Sequence, residues 1–211
     1  LVYDNVFAST AEDEFTLDDV APTTEPDDAA ASGDAAPAAL AGTWEAVAPS
    51  EAGYRIVEDA IAGEKVVTGR TTSVTGTVVL SATSLESTEI TVDMASVASD
   101  QALRDTAFRD QLLDTAQFPT AVFTQDEPIE LEVPAAGQTL EGEVPGTQVL
   151  KGAGQPATAV IEGVAGDGTI TIVGTIEVSL ADFGIEPPSI PNVLTARDSG
   201  LIEFQLFLEQ P

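Results

Sequence analysis

The sequence predicts an all-β protein in which about eight antiparallel strands close into a barrel with one short helical insert. The first observation is a strict alternation of apolar and polar residues over 169–180, which is typical of a long strand with one buried face. The second is that the same alternation returns many times after residue 44, with glycine-containing turns such as 165–168 between the segments. Because each strand has one apolar face, a single closed sheet with an apolar interior satisfies them all.

The other predicted strands follow the same rule of alternation, although several of them are short. They are 54–58, 68–80, 89–94, 120–125, 129–133, 139–144, 158–164 and 202–208. Trp44 and Phe183 are large enough to plug the two ends of such a barrel. Residues 99–114 have a helical apolar spacing and form the predicted insert. No nucleotide-binding glycine loop precedes that insert.

The first fifty residues differ in composition from the rest of the chain. They contain 11 acidic residues and neither Lys nor Arg, and residues 22–41 are almost free of large apolar side chains. Such a segment buries too little surface to offset its ordering entropy, so 1–43 is predicted to be a flexible acidic arm and 44–211 the barrel. Phe7, Phe15 and Leu17 make two hypotheses for the arm: an unstructured tail, or a segment that docks on a partner.

Composition excludes several classes of function. The formal charge of −29 repels nucleic-acid phosphates, so no nucleic-acid partner is expected. The chain contains neither His nor Cys, which excludes Ser-His-Asp and Cys-His catalysis and His-based zinc sites. We therefore expect no enzymatic activity and no metal or other cofactor. No run of 18 apolar residues is present, and residues 1–7 fit the tail of a membrane anchor upstream of Leu1.

Several ordered motifs resemble the YceI-like family of polyisoprenoid-binding proteins. The segment 96–109 reads Ser-Val-Ala-Ser-Asp-Gln-Ala-Leu-Arg-Asp-Thr-Ala-Phe-Arg, and 118–123 reads Phe-Pro-Thr-Ala-Val-Phe. The segment 74–78 resembles the family's Val-x-Gly strand, 181–185 its Asp-Phe-Gly-Ile motif and 201–208 its closing strand. The resemblance covers about 44–211.

This resemblance implies a lipocalin-like barrel that encloses a long tunnel for an isoprenoid chain, which includes the tails of isoprenoid quinones. It also implies an exported protein, placed in the periplasm or cell envelope or secreted. The sequence departs from the family at 53–57, which lacks the family's His, and at 149–157, where a family segment is eroded. These departures leave an alternative open, in which the chain is an accessory subunit that docks on a membrane protein complex through its arm and barrel surface.

The inward-facing apolar residues form the predicted tunnel lining. Each methylene removed from water contributes about 0.8 kcal/mol, so a long isoprenoid needs a dry channel. The alternative is that the same side chains interdigitate and fill the barrel. The candidates are Val78, Leu80, Val92, Met94, Phe108, Leu112, Phe123, Ile172, Ile176, Phe204 and Leu206.

Three arginines are candidates for a lipid headgroup or for the barrel mouth. Arg70 shares the parity of an apolar strand face, so it pairs with an internal carboxylate or meets a headgroup, unless a bulge near Gly69 turns it outward. Arg104 and Arg109 lie in the helical insert. They either gate the mouth or pin the insert to the barrel through carboxylate contacts.

Overall fold

The computed structural model describes residues 11–17, 40–61, 63–131, 137–166, 168–190 and 194–211. The described part is dominated by antiparallel strands, and its α-helix, α1, spans Ala102–Ala107. The strands are β1 (Gly42–Ala60), β2 (Gly63–Thr71), β3 (Val74–Leu80), β4 (Ser84–Asp93), β5 (Thr120–Gln125), β6 (Ile129–Glu130), β7 (Thr139–Leu150), β8 (Ala153–Gly166), β9 (Thr169–Ser179), β10 (Ser189–Ile190) and β11 (Leu194–Glu209).

Eight of these strands form a closed barrel. The order around the wall is β1, β3, β4, β5, β7, β8, β9 and β11, and β11 pairs with β1 to complete the circle. The strand β2 extends the wall beside the second half of β1, and the two-residue strands β6 and β10 pair with β4 and β11. The predicted antiparallel barrel with one short helical insert is therefore confirmed.

The long strand β1 changes partners at its middle. Its start pairs with β3, and its second half, from Ala52 onward, pairs with β2. Pro49 lies between the two halves and has no N–H to donate, and there the register with β11 shifts. The hydroxyl of Ser50 accepts a 2.9 Å hydrogen bond from the amide of Phe207, so the interrupted ladder stays satisfied.

The helical insert is shorter than the predicted 99–114. After α1 the chain continues as a π-helical turn, Phe108–Leu112, which buries Phe108. The carboxylate of Asp105 accepts hydrogen bonds from the Ser99 amide and hydroxyl, at 2.8 and 2.6 Å, so the residues before α1 form a bonded loop. None of the helices in the described part of the chain has the length and hydropathy needed to cross a bilayer.

Candidate functional site

A cavity of about 460 Å³ occupies the middle of the barrel. That volume lies within the range of about 300–1,000 Å³ that is typical of ligand pockets. One end of the cavity lies near Leu40 and Leu80, and the other lies below α1 near Phe108 and Ile185. The walls between are mainly aliphatic, so the barrel is hollow and its interior suits an apolar occupant.

The cavity stays open because large inward-facing rings lie flat against glycines of the neighbouring strand. Tyr54 of β1 is paired with Gly69 of β2, and a Cβ added at Gly69 would come within 2.5 Å of the tyrosine ring. Phe204 of β11 is paired with Gly174 of β9, where an added Cβ would come within 2.6 Å of the phenylalanine ring. Rings held against the wall in this way leave the barrel axis free.

Small residues on the inner face of β8 widen the same space. Ala159, Gly163 and Ala165 all line the cavity at alternate positions of this strand. Ala52 of β1 and Ala121 of β5 also line the cavity. Side chains of this size do not reach the barrel axis, so they leave space there.

All eleven apolar residues predicted to face a tunnel lie in the wall of this cavity. Their role in holding a ligand stays a prediction. The prediction did not include several further wall residues, although each of them lies within a predicted strand. These residues include Tyr54, Ile56, Ile90, Val144, Ile161 and Ile202.

The end of the cavity below α1 is polar. The ring of Tyr54 stacks on Phe108 with centroids 5.1 Å apart. Burial raises the pKa of the Tyr54 phenol to about 12; Arg104 opposes this rise, and Asp105, Glu58 and Asp100 add to it. The phenol is therefore a neutral hydrogen-bonding group at physiological pH.

Arg104 lines the cavity at this end, as does Glu58. The guanidinium of Arg104 forms an ion pair with Asp100, one turn before it, and contacts the Ser99 hydroxyl at 3.4 Å. Arg104 thus lies at an end of the cavity, while its ion pair joins two residues of the insert and does not join the insert to the barrel; a role as a gate stays a prediction. Arg109 lies in the π-helical turn outside the cavity wall, half-buried.

The opposite end of the cavity reaches an edge of the sheet. The first residues of β7, Thr139–Val144, pair with β8, whereas β5 pairs with β7 only from Gly146 onward among the described residues. Three acidic residues border the cavity along this edge, Glu130, Glu141 and Glu143, and all three are exposed. The edge is therefore acidic.

Arg70 lies on the outer face of the barrel and not in the cavity wall, which is the alternative direction that the sequence left open. β2 and β3 both pair antiparallel with β1, one after the other along the same edge, and the chain bends between them at Thr72 and Ser73. The inner face is therefore 67, 69 and 71 in β2 but 74, 78 and 80 in β3, whereas the prediction extended the parity of β3 through that bend. The register of β1 with β2 is continuous, so no bulge lies near Gly69.

Arg70 forms an outer cluster with Arg55 and Glu203. Nε and Nη2 of Arg70 donate to Glu203 Oε1 over 2.9 and 2.7 Å, and Nε of Arg55 donates to Glu203 Oε2 over 2.8 Å. The Glu203 side chain is 2% exposed and the two arginines are 11% and 10% exposed. A carboxylate buried this deeply is tolerated because both of its oxygens are bonded to cations.

Residues 11–17 cover this cluster. The Phe15 ring lies 3.8 Å from the Arg70 guanidinium, and Leu17 is buried. The Glu12 carboxylate pairs with Arg70 at 3.0 Å, and the Glu12 carbonyl accepts a 2.7 Å hydrogen bond from Arg55. This part of the segment expected to be a flexible arm thus packs on its own barrel; Phe7 and residues 18–39 lie outside the described residues.

A closed antiparallel β-barrel around an aliphatic cavity, with a few polar residues at the ends of the cavity, is the architecture of small barrels that have room for one ligand. Groups of three or more metal-ligating side chains are absent from the described residues. The model of the YceI-like domain matches residues 47–207, so the chain belongs to the YceI-like family.

Solved structures have the same fold at low sequence identity. A polyisoprenoid-binding domain from Saccharophagus degradans, implicated in plant cell wall breakdown, superposes with a TM-score of 0.63 at 18% identity, covering 80% of this chain and 98% of that domain. BcnA from Burkholderia cenocepacia superposes with a TM-score of 0.56 at 17% identity, covering 73% of this chain and 95% of BcnA. Curated proteins yielded no match to this sequence.

Proposed function

We propose that this protein binds a long apolar isoprenoid, a polyisoprenoid or the tail of an isoprenoid quinone, inside its barrel and without chemical conversion. The observation that carries the proposal is the aliphatic cavity of about 460 Å³. A ligand of this kind gains about 25 cal/mol for each Å² of apolar surface that it removes from water. Membership of the YceI-like family and the polyisoprenoid-binding name of the Saccharophagus degradans domain support the same ligand class.

The inner wall offers little that would select a polar ligand. The amide of Gln148 lines the cavity, but its Nε2 already donates to the carbonyls of Val122 and Val149, at 3.2 and 3.0 Å. The absence of His and Cys from the chain supports binding without catalysis, since it removes the common general bases and thiol nucleophiles.

The test is native mass spectrometry of the purified chain, followed by organic extraction. We expect one apolar lipid per chain, released by the solvent and containing isoprene units. A chain that stays empty when it is incubated with vesicles containing an isoprenoid quinone would contradict the proposal.

We also propose that the protein acts on the extracytoplasmic side of a membrane, where a carrier shields the lipid from water during transfer. The family resemblance supports this location. Fractionation of cells that express the complete gene product tests it, with the protein expected outside the cytoplasm.

A further inference from the structure

The charges around the two ends of the cavity bear on the headgroup of the ligand. Resting on the proposed function, we infer that this barrel selects isoprenoids with a neutral head, such as an alcohol or a quinone ring, over isoprenoid diphosphates. The aliphatic part of the wall does not distinguish one headgroup from another. Selectivity between headgroups therefore arises at the ends of the cavity, where the wall is polar.

At the end below α1, the acidic residues named here outnumber the basic ones. Glu58 and Arg104 both line the cavity there, and Lys65 of β2 is the cross-strand partner of Glu58. Arg104 is already neutralised by its ion pair with Asp100, and its side chain is 20% exposed. Asp105 is held in the same loop by the Ser99 amide and hydroxyl. A diphosphate placed at this end would compete with Asp100 for the guanidinium of Arg104 and face the carboxylates of Glu58 and Asp105.

The opposite end of the cavity is even less favourable for an anionic headgroup. Glu130, Glu141 and Glu143 border the cavity along the β7 edge. Arg70 and Arg55, a basic pair on the barrel wall, point outward and are occupied by Glu203 and the segment 11–17. The chain as a whole has a net charge of −29, so the long-range field also repels a polyanion.

A neutral head meets compatible groups instead. Tyr54 and Arg104 both line the cavity, and the Tyr54 phenol is a neutral donor. A quinone carbonyl or an alcohol oxygen accepts a hydrogen bond from a phenol or a guanidinium without bringing a charge of its own. Such a head leaves the Arg104–Asp100 pair intact.

The experiment compares ligands that share one tail. Geranylgeraniol, menaquinone with a geranylgeranyl side chain, and geranylgeranyl diphosphate are titrated into the delipidated full-length chain. Binding is followed by native mass spectrometry and by the fluorescence of Trp44, the one tryptophan of the chain. We expect the diphosphate to bind about tenfold or more weaker than the two neutral ligands at low salt, with a smaller gap at high salt because screening weakens the repulsion.

Variants locate the source of the selectivity. Glu58→Gln should move the alcohol-to-diphosphate affinity ratio towards one by about threefold if the head lies below α1. The triple variant Glu130→Gln, Glu141→Gln and Glu143→Gln should do so instead if the head lies at the β7 edge. Glu162→Gln removes an exposed outer carboxylate and is the matched control, with no change in the ratio.

The outcomes separate the two proposals. If the diphosphate binds as tightly as the alcohol, the selectivity inference is wrong while isoprenoid binding stands. If none of the three ligands binds, both the proposed function and the selectivity fail. The inference would also be overturned if the diphosphate binds more weakly but neither Glu58→Gln nor the triple variant changes the affinity ratio. In that case these carboxylates would not be the cause of the selectivity.

Discussion

Tyr54 and Gly69 face each other across β1 and β2, and the tyrosine ring occupies the place where a side chain at position 69 would stand. An added Cβ would lie 2.5 Å from ring carbon Cε1, 2.8 Å from Cζ and 2.9 Å from the hydroxyl oxygen. Because position 69 has no side chain, the ring lies against the barrel wall and does not project to the barrel axis. The cavity thus depends on the absence of a side chain in β2.

Gly69→Ala should push the Tyr54 ring into the cavity. We expect a loss of about 1–3 kcal/mol in the free energy of unfolding, since overpacking a built interior costs that much. Urea denaturation measures the loss, and native mass spectrometry should detect less bound lipid. Gly166→Ala is the control, because its added Cβ meets no atom within 4 Å. Equal stability of both variants would show that the ring moves freely and does not shape the cavity.

A larger side chain in the middle of the cavity should displace the ligand. Ile176→Phe and Val92→Phe add volume at two wall positions, and we expect the bound lipid to fall by about tenfold while the thermal midpoint changes by only a few degrees. Val160→Phe, at an exposed position on the outer face, is the matched control and should keep its lipid. A collapse of the fold in the two inner variants would instead indicate an interior that is packed to capacity.

The buried carboxylate of Glu203 should be essential for stability. In Glu203→Ala the two arginines lose their shared partner beneath residues 11–17, so the free energy of unfolding should fall by about 3–5 kcal/mol. Chemical denaturation at neutral pH measures the change. Glu209→Gln alters an exposed carboxylate of the same strand and should cost less than about 0.5 kcal/mol. A small loss for Glu203→Ala would mean that Glu12 replaces the missing carboxylate.

The Phe15 ring should hold residues 11–17 on the barrel. Phe15→Ala removes the stacking on Arg70, and we expect a loss of about 0.5–2 kcal/mol in the free energy of local opening. Hydrogen exchange tests this at the Glu12 amide, which donates to the Thr68 hydroxyl over 3.1 Å, and exchange should be faster in the variant. Glu14→Gln is the comparison, because this 74% exposed carboxylate contacts Arg55 only at 3.9 Å. Unchanged hydrogen-exchange protection in Phe15→Ala would show that the ionic contacts alone hold residues 11–17 on the barrel.

The Tyr54 phenol should make stability depend on alkaline pH. Its pKa is raised from 10.0 to about 12 in the folded protein, so the folded state holds this proton more tightly than the unfolded chain does. Its contribution is fully present below pH 10 and is lost as the pH rises through 12, a total of about 2–3 kcal/mol. The free energy of unfolding, measured by chemical denaturation at pH 9 and at pH 12, should fall by that amount more in the unmodified chain than in Tyr54→Phe. Parallel pH profiles for the two proteins would refute a buried phenol.

The family, the closed barrel and the inward-facing apolar residues could all be predicted from the sequence. Alternation in strands such as β9 and β11 reports which side chains share a face, and that property depends only on residues two apart. The alternation predicted the faces of Ile176 and Phe204 without knowledge of their partners. The short helical insert was placed correctly but with bounds that were too wide, because apolar spacing says little about where a helix ends.

Only the tertiary structure decided whether the barrel is hollow and where its charges lie. The rings of Tyr54 and Phe204 stay off the barrel axis because glycines of the paired strands leave space for them. These ring–glycine pairs exist only once the register of the strands is set. The direction of Arg70 depends on the two-residue bend between β2 and β3, and its carboxylate partner, Glu203, is 133 residues away in the chain. Alternation is a local property, whereas cavity volume and ion pairing depend on contacts between residues that only the closed sheet brings together.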